Sequence, residues 1–119
     1  MESALQKDGK VTSRDIMTAL LSRHPKEKGE WATFAELNIA TGYQGQNWID
    51  LFCMNCWPSK GYRTVAYEIK VSRSDFMNEI KNPTKRAGAE KLAGECYFAV
   101  PANLISKEEV PATWGLVYV

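Results

Sequence analysis

Glu68 and Lys70 stand two residues apart in the apolar run Tyr62–Val71. Residues at i and i+2 of a β-strand share a face, so both charged groups point one way while Tyr67, Ile69 and Val71 point the other. Such charges are costly to bury without compensation. Asp50 sits in the preceding run, between Ile49 and Leu51, in an equally apolar setting. A hairpin between the two runs would bring Asp50 and Glu68 together. Two converging carboxylates form a hard oxygen site suited to Mg²⁺ or Mn²⁺. A neighbouring lysine can orient or deprotonate water and stabilise charge on a phosphate. The same residues on exposed strands would make an ordinary surface set with a weak salt bridge. Spacing alone does not separate the two readings.

The elements that must carry these residues are legible from local pattern. Thr12-Ser13-Arg14-Asp15 resembles a capping box, and Ile16, Met17, Leu20 and Leu21 follow at helical spacing. Pro25 and the Lys26–Gly29 stretch end this helix. A strand is expected from Trp31 to Ile39 and a polar, glycine-containing turn from Thr41 to Asn47. Trp48–Trp57 and Tyr62–Val71 read as strands, joined by Pro58-Ser59-Lys60-Gly61, which is good hairpin chemistry. Ser72 and Ser74 are candidate caps for a helix containing Phe76, Met77 and Ile80. Asn82-Pro83 interrupts it, and a second helical stretch runs from about Thr84 to Gly94. Cys96–Val100 and Trp114–Val119 are expected as the last two strands. The order α-β-β-β-α-β-β suggests an α/β sandwich with a mixed sheet.

The 119 residues, 45% hydrophobic and 24% charged, fit a single domain over 1–119 that needs neither disulfides nor a structural metal for its core. Residues 1–10 are polar and read as a disordered start with no secretory segment. No apolar run approaches the ~20 residues of a membrane span. Three cysteines, an odd number, argue against a disulfide framework. A cytoplasmic protein, from a bacterium or a phage-infected host cell, is expected. Net charge is only +1, but residues 60–91 hold eight basic side chains against four acidic ones. That local surplus can attract phosphate.

Ile49-Asp50 followed by Glu68-Ile69-Lys70 resembles the PD-(D/E)XK nuclease superfamily, whose signature is an acid, a spacer, then Asp or Glu, any residue, and Lys. The longer run Glu68-Ile69-Lys70-Val71-Ser72-Arg73-Ser74-Asp75-Phe76, with Lys81, Tyr97-Phe98-Ala99-Val100-Pro101 and Trp114-Gly115-Leu116, is similar to the small MmcB-type DNA-repair nuclease group. The resemblance covers roughly residues 30–119. It implies a restriction-endonuclease-like core, a central mixed β-sheet flanked by helices. It also implies a Mg²⁺- or Mn²⁺-dependent nuclease hydrolysing phosphodiester bonds in DNA, in repair, recombination or phage DNA processing. Asp50 and Glu68 would be metal ligands with the carbonyl of Ile69, and Lys70 the catalytic lysine. Glu36 is the candidate for the earlier acid that the superfamily often adds, ahead of Glu30. Trp48-Ile49 stands where some members have proline, a position that varies. A DNA-binding module that keeps the fold without turnover is the alternative.

Other motifs carry less. Cys53-Met54-Asn55-Cys56 has C-x-x-C spacing, but a zinc site needs about four ligands and only His24 and Cys96 remain, so no structural zinc is expected. A thiol redox protein would rest on this pair alone. His24 reads as a helix C-terminal residue favoured by the dipole, and Trp57 as the most exposed tryptophan. The glycine-rich turn around 41–45 lacks the lysine and helix of a phosphate loop. DNA is expected across Arg73, Lys81, Lys85 and Arg86, with Lys60 and Arg63 as the other candidate grip. A homodimer is expected because one small domain offers a duplex little surface.

Overall fold

The computed structural model describes residues 10–38 and 48–119. The expected turn over 41–47, the end of the first strand at Ile39 and the polar start before residue 10 lie outside the described residues. Helix α1 spans Ser13–Arg23 and is followed by β1 (Trp31–Asn38), β2 (Trp48–Asn55) and β3 (Thr64–Ile69). Helices α2 (Arg73–Ile80) and α3 (Pro83–Leu92) then lead to β4 (Glu95–Val100) and β5 (Gly115–Tyr118).

Local chemistry sets the boundaries. Thr12 Oγ1 accepts the Asp15 N–H at 3.1 Å while the Asp15 carboxylate accepts the Thr12 N–H at 2.8 Å, a complete capping box. Ser72 caps α2 with a single bond, its Oγ accepting the Asp75 N–H at 3.2 Å. Pro83 occupies the first turn of α3, where its missing N–H costs nothing, so the helical run breaks there into two. Strand β2 stops at Asn55, two residues short of the expected Trp57. The buried Asn55 side chain accepts the Trp57 N–H at 2.9 Å and donates to Glu30 at 3.0 Å, turning the chain out of the ladder. A short 3-10 turn, Pro58–Lys60, closes the hairpin, and Gly61 follows it at φ 70°, which glycine adopts without strain.

The five strands form one sheet in sequence order β1-β2-β3-β4-β5. The first three are antiparallel neighbours, and β3-β4 and β4-β5 are parallel. The α2-α3 pair is the crossover that a parallel β3-β4 pairing requires. Ile16 and Leu20 of α1 pack with Leu51, Cys53, Val65, Tyr67 and Ala99 on one face. On the other, Phe76 and Ala89 of α2 and α3 pack with Phe52, Ala66, Phe98, Trp114 and Ile105. Phe98 anchors this second core, with ring centroids 5.2 Å from Phe76 and 4.8 Å from Trp114.

Sheet regularity fails at one place. The β2-β3 pairing ends at Leu51↔Tyr67. Ile49 and Leu51, two residues apart, pack in opposite cores, so β2 rotates at Asp50. On β1, Glu36 lies between the pairs Ala35↔Leu51 and Leu37↔Ile49 in a left-handed conformation at φ 53°, uncommon for a residue with a side chain.

Candidate active site

Asp50 occupies the point where β2 parts from β3, and its side chain replaces the backbone. Its Oδ2 accepts the Ile69 N–H at 2.7 Å. Glu68 lies one residue earlier on β3 and is buried, 7% exposed. Its carboxylate makes no hydrogen bond among the described residues. Burial, followed by repulsion from Asp50 and Glu79, pushes it up to about 8, with Lys70 and Lys85 opposing. Asp50 is raised as well, by burial first, while the Ile69 N–H and Lys70 pull it down. Burial and the neighbouring charges thus disfavour ionising both carboxylates at once.

Lys70 follows β3 on the same side as Glu68, half-buried. Its Nζ lies 3.1 Å from Oε1 of Glu79 in the last turn of α2. Lys85 Nζ reaches the same oxygen at 3.5 Å, and Arg86 Nη1 lies 3.9 Å from Oε2. The Glu79 carboxylate is therefore surrounded by three cations. A recess of about 180 Å³ opens beside it, walled by Lys70, Asp75, Asn78, Asn82 and Lys85.

Asp50, Glu68 and Lys70 therefore come together as their spacing predicts, and Glu36 does not join them. Glu36 is exposed, because its left-handed backbone interrupts the strand alternation. Among the described residues no three His, Cys, Asp or Glu side chains gather as a metal-ligand group. Two carboxylates, Asp50 and Glu68, are what the described residues offer a cation here, the second of them buried without a donor. That donor chemistry fits a divalent ion completed by carbonyl and water oxygens, since Mg²⁺ usually keeps several waters.

The expected phosphate grip is only partly presented. Arg86 is buried at 7% exposure, and its Nη1 donates to the Glu79 carbonyl oxygen at 2.6 Å, so it faces inward and cannot meet a nucleic-acid backbone. Arg73 is exposed but forked on Glu109. Lys81 is exposed, and Lys85 is half-exposed at the rim of the recess. The break at Pro83 removes the single helical face that Lys81 and Lys85 would otherwise share. Arg63, at the hairpin, is forked on Glu95.

The remaining candidates lie elsewhere. His24 caps α1 at its C-terminus but is buried, with Nε2 2.7 Å from the Tyr67 hydroxyl and its ring edge-on to Trp31. Burial first, then Arg63 and Arg23, hold it below its ordinary value, so its surroundings oppose the charge that would favour the helix dipole. Cys53 is buried with its thiol pushed up to about 12, and Cys56 is exposed. A thiol held so far from ionisation is a poor nucleophile. Trp57 is half-buried, and Trp48, at 47%, is the most exposed tryptophan. Glu79 is the residue that sequence reading missed. Its one visible signal is an acid on the apolar side of α2, three residues after Phe76.

No protein-family model matches the chain, and no curated protein matches it. Among solved structures the chain is similar to the SPO1766 protein of unknown function from Silicibacter pomeroyi, with a TM-score of 0.57 and 23% identity. The match covers 83% of this chain and 58% of that one. It supports the architecture: α/β, with a five-stranded mixed sheet flanked by helices, compatible with a restriction-endonuclease-like core. No helix among the described residues is long and apolar enough to cross a membrane.

Proposed function

We propose that the chain is a divalent-metal-dependent deoxyribonuclease that hydrolyses phosphodiester bonds, with its centre at Asp50, Glu68 and Lys70. The observation that carries the reading is the Asp50–Glu68 pair at the parting of β2 and β3, both raised in pKa first by burial, with Asp50 further raising Glu68, and flanked by the Lys70 ammonium. Asp50 and Glu68 would hold Mg²⁺ or Mn²⁺, with the Ile69 carbonyl as a further oxygen ligand. The ion would supply activation of a bound water and neutralisation of charge at the phosphate. Lys70 then orients the water and holds a phosphate oxygen by charge. Lys81 and the half-exposed Lys85 supply the sequence-independent contacts to the DNA backbone.

The reading implies a cytoplasmic protein working on DNA in repair, recombination or phage DNA processing. A homodimer would supply the surface a duplex needs, and light scattering with and without DNA tests that part.

The deciding experiment is incubation of purified protein with supercoiled plasmid and with linear single- and double-stranded DNA, in Mg²⁺, Mn²⁺ or chelator. Metal-dependent cleavage that is lost in Asp50→Asn supports the reading. DNA binding with no cleavage under any metal would replace it with a binding module that keeps the fold.

A further inference from the structure

We propose that Glu79 is a positioning residue: it fixes the ammonium of Lys70 beside the Asp50–Glu68 pair. The inference rests on the nuclease reading for its catalytic consequence, but its geometry stands independently.

Lys70 lies just past the end of β3, with four flexible methylenes between backbone and charge. Its backbone N–H is tied to the Ala99 carbonyl at 3.1 Å, which fixes the Cα but not the ammonium. The recess beside it gives that ammonium room to move. Glu79 removes the freedom. Its carboxylate is 1% exposed and lies 3.1 Å from Nζ, at the end of a helix that Phe76 locks into the core. Glu79 is itself held in place. Arg86 donates to its carbonyl oxygen at 2.6 Å and flanks its carboxylate at 3.9 Å, and Lys85 closes the solvent side at 3.5 Å.

A buried carboxylate with one cation partner could be a purely structural ion pair. Three observations favour positioning. Lys70 is the only one of the three cations adjacent to the acid pair in sequence, two residues from Glu68. Arg86 and Lys85 already neutralise Glu79, so the fold does not need Lys70 for that purpose. Glu79 Oε1, the oxygen nearest Lys70, is buried and lies 3.1 Å from Nζ, so the attraction is little screened by water. An ammonium carries three N–H groups, so a contact with this one oxygen leaves donors for water or phosphate.

The test is a double-mutant cycle in the full chain with Mn²⁺ and plasmid DNA, comparing Glu79→Gln, Lys70→Ala and both together. If Glu79 acts through Lys70, Glu79→Gln lowers kcat by about 10²-fold with KM for DNA and Mn²⁺ affinity within twofold. It then has no further effect once Lys70 is alanine. Wild-type kcat in Glu79→Gln, or the same loss in both backgrounds, overturns the proposal. A second readout does not depend on cleavage: acetylation of each lysine followed by mass spectrometry. Lys70 reactivity should rise several-fold in Glu79→Gln while that of Lys60 is unchanged, and equal Lys70 reactivity in the two proteins overturns the proposal. Should wild type cut no DNA, the nuclease reading fails, and the labelling alone decides whether Glu79 holds Lys70. Should the stranded Arg86 charge unfold the variant, Glu79→Gln with Arg86→Met removes both partners and carries the same expectations.

Discussion

Asp50 stands in for a missing rung of the sheet: its Oδ2 takes the Ile69 N–H at 2.7 Å where β2 no longer offers a backbone carbonyl. One side chain thus completes the end of the β2-β3 ladder and forms half of the acid pair. The two duties can be separated by substitution.

Asparagine at position 50 keeps an oxygen that can accept the Ile69 N–H, so Asp50→Asn should fold normally yet lose divalent-ion affinity and cleavage. Leucine removes the acceptor as well. Stranding that N–H should lower unfolding free energy by about 1–3 kcal/mol in Asp50→Leu relative to Asp50→Asn. Urea unfolding without metal measures the gap, and identical midpoints would show that the ladder does not depend on this bond.

Glu68 should make the metal-free protein less stable at high pH. Its folded-state pKa is raised from 4.5 to about 8, so between those values the folded chain retains a proton that the unfolded chain has released. Stability is therefore full at low pH and is lost as pH rises through that window. Glu68→Gln removes the ionisation, and its advantage over wild type should grow from pH 5 to pH 9, reaching on the order of a few kcal/mol. Thermal unfolding in chelator across that range would reveal it, and parallel curves would mean that the carboxylate is better solvated than its burial implies.

Lys81→Ala with Lys85→Ala should weaken binding to every DNA sequence alike. The slope of log affinity against log salt should flatten by about one unit per lost contact. Arg86 is excluded from this set because it faces Glu79. An unchanged slope would move the grip to the hairpin, where Lys60 and Arg63 lie.

Gly115→Ala should destabilise the fold. A Cβ at this position would meet Cδ1 and Cε1 of Tyr97 at 2.4 Å. That ring cannot simply swing aside, being stacked on Tyr67 at 5.7 Å and hydrogen-bonded to Glu95 through its hydroxyl at 2.8 Å. The expected cost is about 1–3 kcal/mol, and a melting temperature within a degree of wild type would mean that β5 shifts freely.

The fold was largely legible because its signals are local. The capping box at Thr12, the turn chemistry at Pro58-Gly61 and the break at Pro83 each act within a few residues. The approach of Asp50 to Glu68 followed from one hairpin. What escaped depends on side-chain direction after packing. A basic run reads alike whether Arg86 turns inward to Glu79 or outward to solvent. The resemblance offered Glu36, on the strand before the turn, as an added acid, but its left-handed backbone interrupts the alternation and leaves it exposed. Glu79 gave only its spacing from Phe76 as a signal, because an acid in a helix ordinarily means solvent, and only the docking of α2 on Phe98 carries it beneath Lys70.

The uninterrupted order β1-β2-β3, followed directly by α2 and α3, has a kinetic meaning. Asp50, Glu68, Lys70, Glu79, Lys85 and Arg86 all fall within one continuous stretch of chain, joined by a hairpin and two short helices. Loops this short close at little entropic cost, and contacts between near neighbours in sequence form fastest. The slow step is left to the parallel strands, whose partners must return across a crossover. The acid pair and its lysine are therefore expected to gather during folding ahead of β5, with the sheet's far edge among the last parts to pair.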